Sequence, residues 1–112
     1  VGAFGMRTGE SDLLFLEGIL PEDGGEIQRD LPVGEQAALC LDRLETVLAS
    51  QSADLSDVMK IEVQVTDMAS RDAVDAVYRD RFDTEYPPRT TVGVCALPGD
   101  AAVQLDVIAA DE

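Results

Sequence analysis

Arg89 follows two prolines in "EYPPRTTVGVCALPGD" and stands at the mouth of an alternating apolar run, in a chain otherwise dominated by acids. A planar guanidinium can hold a carboxylate through two parallel hydrogen bonds. A surface salt bridge is the plainer use of a single Arg. Two cysteines, Cys40 and Cys95, add no pattern: neither belongs to a CxxC and both lie in apolar runs, so both read as buried free thiols. The chain has no histidine, which excludes a Ser–His–Asp triad, a Cys–His nucleophile pair and the common zinc sets.

Net charge sets further limits. It is −15, with one lysine (Lys60) against 23 acids. Such a field repels nucleic acid, whose binding depends on cations displacing counterions. It also repels anionic membranes. A solubility device is one reading. The scarcity of lysine beside abundant aspartate points to a halophilic protein, in which salt screens the self-repulsion. With no membrane-length apolar run and an opening that shows no basic, apolar leader, the chain reads as cytoplasmic.

The elements that must carry Arg89 follow from periodicity. At 112 residues the chain reads as one domain, 1–112. Ala3–Thr8 and Asp12–Leu20 read as strands around a Gly9–Ser11 turn, followed by a polar Gly/Pro loop over Pro21–Pro32. Val33–Ala53 reads as a helix, with Ala37, Leu41, Leu44 and Leu48 on one stripe and Cys40 and Val47 beside it. Val58–Thr66 alternates as a strand, with Ile61, Val63 and Val65 opposite Lys60, Glu62 and Gln64. Asp67–Phe82 reads as a second helix, capped by Asp67 or Ser70, with Val74, Val77, Tyr78 and Phe82 inward. Pro87 and Pro88 break it, and Thr90–Ala96 and Ala102–Ala110 read as strands around Leu97–Asp100. The order β-β-α-β-α-β-β predicts an α+β domain, one sheet with two helices on one face. The other face also carries apolar side chains, and association of subunits is the natural cover for it.

"PPRTTVGVCALPGDAAVQLDVIAA" (Pro87–Ala110) resembles the C-terminal signature of the RidA/YjgF family, the reactive-intermediate deaminases, also labelled L-PSP endoribonuclease-like. The opening "VGAFGMRTGESDLLFLEGILP", the helix "EQAALCLDRLETVLAS" and the strand "VMKIEVQVTDM" fit the same family in register, so the resemblance spans essentially the whole chain. The segment from Phe82 to Pro87 is shorter than is common there. The resemblance implies a chorismate-mutase-like homotrimer with clefts between subunits. It implies hydrolysis of enamines and imines such as 2-aminoacrylate to 2-oxo acids and ammonia, with no cofactor and no metal. It also implies that Arg89 holds the substrate carboxylate.

The departures bear on catalysis. The family's catalytic glutamate on the last strand falls on Gln104, whose amide orients water but takes no proton near neutral pH. The family's tyrosine falls on Phe4 and its serine on Glu17; Gly18 matches a glycine whose backbone N–H approaches the ligand. Glu17 has three readings: a replacement base, a partner of Arg89 that blocks ligands, or a solvated acid. A buried Glu17 beside Phe4 would have a raised pKa, which Arg89 would pull back down. Two functions therefore stand together, a deaminase and a trimer that binds small carboxylates without turnover. A ribonuclease lacks both the usual acid–base pair and a cationic path for RNA.

Overall fold

A computed structural model of the chain describes residues 4–7, 13–82 and 87–110. The segment between Phe82 and Pro87 that reads as short for the family lies outside the described residues. Strands β1 (Phe4–Arg7), β2 (Leu13–Ile19), β5 (Val58–Val65), β6 (Arg89–Gly93) and β7 (Val103–Ala110) form one sheet in the order β1-β2-β7-β5-β6. Pairing is antiparallel except between β5 and β6, which run parallel. Helices α1 (Val33–Ser50) and α2 (Arg71–Arg81) pack beside each other. The parallel pair needs a crossover connection, and α2 is that connection. The α+β class with two helices covering one sheet face is as the periodicity predicts.

The helix-side core joins Leu14 and Leu16 of β2, Ile61, Val63 and Val65 of β5, and Val103, Leu105 and Val107 of β7 to the α1 stripe. Ala37, Cys40, Leu41, Leu44 and Leu48 of that stripe are all buried, and Val47 packs against the cluster. Burying a leucine or isoleucine of this kind contributes about 2 kcal/mol, so the interlocked stripe and sheet supply the main driving force. Val74 and Tyr78 of α2 are buried, as is Phe82 just after it.

Several boundaries differ from the sequence reading. The Pro21–Pro32 loop contains a small hairpin of β3 (Glu22–Asp23) and β4 (Glu26–Ile27). Its turn is Gly24–Gly25, with φ of 62° and 84°, values that L side chains resist and glycine accepts. The α1 helix stops at Ser50 rather than Ala53, because Ser52 turns to φ 60°. The second helix begins at Arg71, after a 3-10 turn over Met68–Ser70 whose Ala69 N–H donates to the Asp67 carboxylate. Asp67 is therefore the side chain that caps, and Ser70 makes no such bond. Strand β6 takes in Arg89 and ends at Gly93. Val94–Ala96 leaves the sheet, so Cys95 is exposed and only Cys40 is a buried thiol.

The second sheet face is covered by no helix among the described residues. It is more polar than the sequence reading has it. Gln64, Gln104 and Asp106 occupy its centre, half-buried, while Phe15 stands 37% exposed on it.

Candidate functional site

Position 18 shows how the backbone builds this face. Leu16 pairs with Val107 and Ile19 with Leu105, so β2 places one residue more than β7 in the same interval. That bulge lets both Leu16 and Ile19 point into the core and sets Glu17 and Gly18 against Asp106. Gly18 accepts the required left-handed turn, with φ of 71°. Its N–H donates to Asp106 Oδ1 at 2.9 Å. Within the chain, Asp106 thus holds the Gly18 N–H.

From Asp106 a chain of hydrogen bonds crosses to β5 and back. Gln64 Nε2 donates to Asp106 Oδ2 at 3.0 Å, and Gln104 Nε2 donates to Gln64 Oε1 at 2.5 Å. The Gln104 carboxamide is thereby oriented by one N–H donated to Gln64. A groove of about 950 Å³ runs past this array, lined by Glu17, Gly18, Gln104, the β3–β4 hairpin, the 28–31 segment and Pro98–Gly99. Glu17 stands exposed on its wall. Phe4 is the cross-strand partner of Glu17 in the β1–β2 register.

Arg89 lies elsewhere. It pairs in register with Ile61, whose side chain is buried on the helix side of the sheet. Its guanidinium sits 4.4 Å from the centre of the Tyr78 ring and its Nη2 lies 2.5 Å from Asp75 Oδ1, both on α2. The Asp75 oxygen is buried yet receives no directed hydrogen bond, so the contact is an ion pair off the N–H direction. Arg89 keeps 21% of its side chain exposed at the β6 edge. Burial pushes the Tyr78 phenol up to about 12, against an opposing pull from Arg89. Along the registers Arg89–Ile61–Val107, Gln104 is two strands across and three residues along, a backbone separation of roughly 14 Å. Thus the chain brings Glu17, Gly18 and Gln104 together, and sets Arg89 apart, paired with Asp75 rather than Glu17.

The sequence reading missed Asp106, Gln64, Asp75 and Tyr78 as parts of these two arrays. Asp106 and Gln64 carried a signal, since each shares a strand face with a polar residue already singled out or two positions away. Asp75 carried none beyond its place three residues before the inward Tyr78. Among the described residues, no group of three or more His, Cys, Asp or Glu side chains could hold a metal ion. No described helix is long and apolar enough to cross a membrane.

The family model described as Endoribonuclease L-PSP matches residues 3–111. The chain belongs to this family, the RidA/YjgF group. Its relatives in the L-PSP family include RutC family protein y4sK of Sinorhizobium fredii, 36% identical over 110 residues that cover 96% of this chain and 86% of that protein. The chloroplastic Reactive Intermediate Deaminase A of Arabidopsis thaliana is 30% identical over 97% of this chain and 59% of its own length. Among solved structures, Escherichia coli TdcF with bound serine superposes with a TM-score of 0.86 at 27% identity, covering all of this chain and 91% of that one. The RidA-type fold is thus shared across the family.

Proposed function

We propose that the protein is an enamine/imine deaminase that hydrolyses 2-aminoacrylate-type intermediates to 2-oxo acids and ammonia. The observation that carries the reading is Arg89: a guanidinium 4.4 Å from the centre of the Tyr78 ring, partly exposed at the β6 edge, in a RidA-family chain. Such a group is preorganised for a carboxylate. The relatives named as reactive intermediate deaminases support the reaction class. Because Arg89 and the Gln104 array lie on different sides of one sheet, a cleft that uses both needs a second copy of the chain. The uncovered sheet face supports a homotrimer with clefts between subunits.

In that cleft the imine tautomer lies with its carboxylate on Arg89. Water adds to the C=N carbon and gives a proton to a base, which passes it to nitrogen to form the carbinolamine; the remaining hydroxyl proton is then relayed to nitrogen as the C–N bond breaks, so that ammonia leaves and the carbonyl forms. Gln104 orients the water through its oxygen. Glu17 takes the proton in this reading, which its exposure on the groove wall supports. Gly18 shapes the groove, with Phe4 opposite Glu17 in the register. The chemistry calls for neither cofactor nor metal. A charge of −15 and the absence of histidine oppose RNA cleavage, whatever the family's older description suggests.

Gln104 favours one further reading, a trimer that binds small carboxylates without turnover. The test is decay of 2-aminoacrylate, generated by a PLP-dependent dehydratase, with ammonia release followed in high salt. Acceleration lost in both Arg89→Ala and Glu17→Gln establishes the deaminase with Glu17 as base. No acceleration by the folded wild type, with activity gained in Gln104→Glu, establishes the binding protein.

A further inference from the structure

The resident counter-ion of Arg89 has a consequence for which ligands it accepts. Asp75 is only 16% exposed and its Oδ1 lies 2.5 Å from Arg89 Nη2, with Arg71 Nε a further 3.9 Å from Asp75 Oδ2. A guanidinium already neutralised in this way offers a poor site to a simple anion. Adding a second carboxylate leaves two negative charges around one Arg89 cation, inside a chain whose net charge is −15. A zwitterion behaves differently. Its carboxylate can share Arg89 while its protonated nitrogen, one carbon away, takes the Asp75 carboxylate. Asp75 Oδ1 sacrifices no directed hydrogen bond in turning to meet it, because it makes none to Arg89.

We infer that Asp75 is a specificity residue that makes the Arg89 site select zwitterionic 2-iminio and 2-amino acids over 2-oxo acid anions. This rests on Arg89 being the carboxylate holder. The selection has a direction along the reaction: the iminium acid enters as a zwitterion, water replaces its nitrogen, and the 2-oxo acid that remains is an anion facing Asp75. The product is therefore expelled by the same charge that admits the substrate.

The experiment is calorimetric titration of the purified full chain with L-serine and with 2-oxobutanoate, for wild type, Asp75→Asn, Asp75→Glu and Arg89→Ala. The expected result is preference for serine in wild type. In Asp75→Asn, 2-oxobutanoate tightens and the preference falls by about fivefold or more, the scale of one partly screened charge pair. Asp75→Glu keeps the charge and is expected to keep the preference within about twofold of wild type on the same scale. An unchanged preference in a folded Asp75→Asn, with binding lost in Arg89→Ala, overturns the role of Asp75 and leaves Arg89 as the carboxylate holder. Should Asp75→Asn fail to fold, loss of the preference in Asp75→Glu overturns it equally. Binding of both probes unaltered in Arg89→Ala, or no binding by any variant, overturns the Arg89 reading and the inference with it.

Discussion

Replacing Gln36 with methionine keeps the side chain's length and removes its polar atoms, and it should weaken both the fold and one wall of the groove. Gln36 is the buried polar residue of α1, 2% exposed. Its Nε2 donates to the carbonyls of Leu31 at 2.8 Å and Arg29 at 3.2 Å, and its Oε1 accepts from the Ala102 N–H at 2.9 Å. One amide thus ties the loop before α1 to the residue that leads into β7. Methionine strands the Ala102 N–H, which costs about 1–2 kcal/mol for a poorly solvated donor. The two carbonyls belong to exposed residues and recover part of their loss from water, adding about 1 kcal/mol together. The total is about 2–3 kcal/mol, a large share of the roughly 5–15 kcal/mol available to a domain. At fixed protein and salt concentration, the melting midpoint should fall by about 10 °C or more. Amide exchange at Ala102 and across residues 29–31 should accelerate as well. A stability within about 0.5 kcal/mol of wild type, with Ala102 exchange unchanged, would refute the claim that this amide secures the groove wall.

Two further predictions concern titration and thiol reactivity. The Tyr78 phenol, pushed by burial from 10 to about 12, is neutral in the folded chain at pH values where the unfolded chain ionises it. Its stabilising effect is complete below pH 10 and is lost as pH rises towards 12, so the urea-stability difference between wild type and Tyr78→Phe should shrink across that window; a constant difference contradicts the burial argument. Cys95 is exposed whereas Cys40 is buried, its thiol pushed up by burial and by nearby Glu22. A neutral maleimide should therefore modify Cys95 rapidly in the native protein and Cys40 only in denaturant, as read by mass spectrometry, and native labelling of Cys40 would show that the α1–β7 core opens.

Much of the fold was legible because periodicity reports burial directly. The α1 stripe from Ala37 to Leu48 and the alternation of Ile61, Val63 and Val65 identify the inward faces from spacing alone. Boundaries were less legible, because they depend on single backbone angles: Ser52 at φ 60° ends α1, and β6 stops at Gly93, leaving Cys95 outside despite its apolar neighbours. Gly24–Gly25 did carry a turn signal, but a hairpin of two-residue strands is too short for periodicity to register.

The sequence by itself determined the α+β class, the family, the absence of histidine chemistry and the presence of an amide, Gln104, where relatives of this type are expected to carry an acid. These are properties of residue identity and local order, and no packing can alter them. Only the tertiary structure decided partners. A β-bulge at Gly18 turns its N–H to Asp106, Gln64 bridges Asp106 to Gln104 across two strands, and the parallel β5–β6 pair delivers Arg89 to Asp75 and Tyr78 on α2. Such pairings join residues up to 88 positions apart and depend on register, and a slip of one residue would exchange the two faces of the sheet.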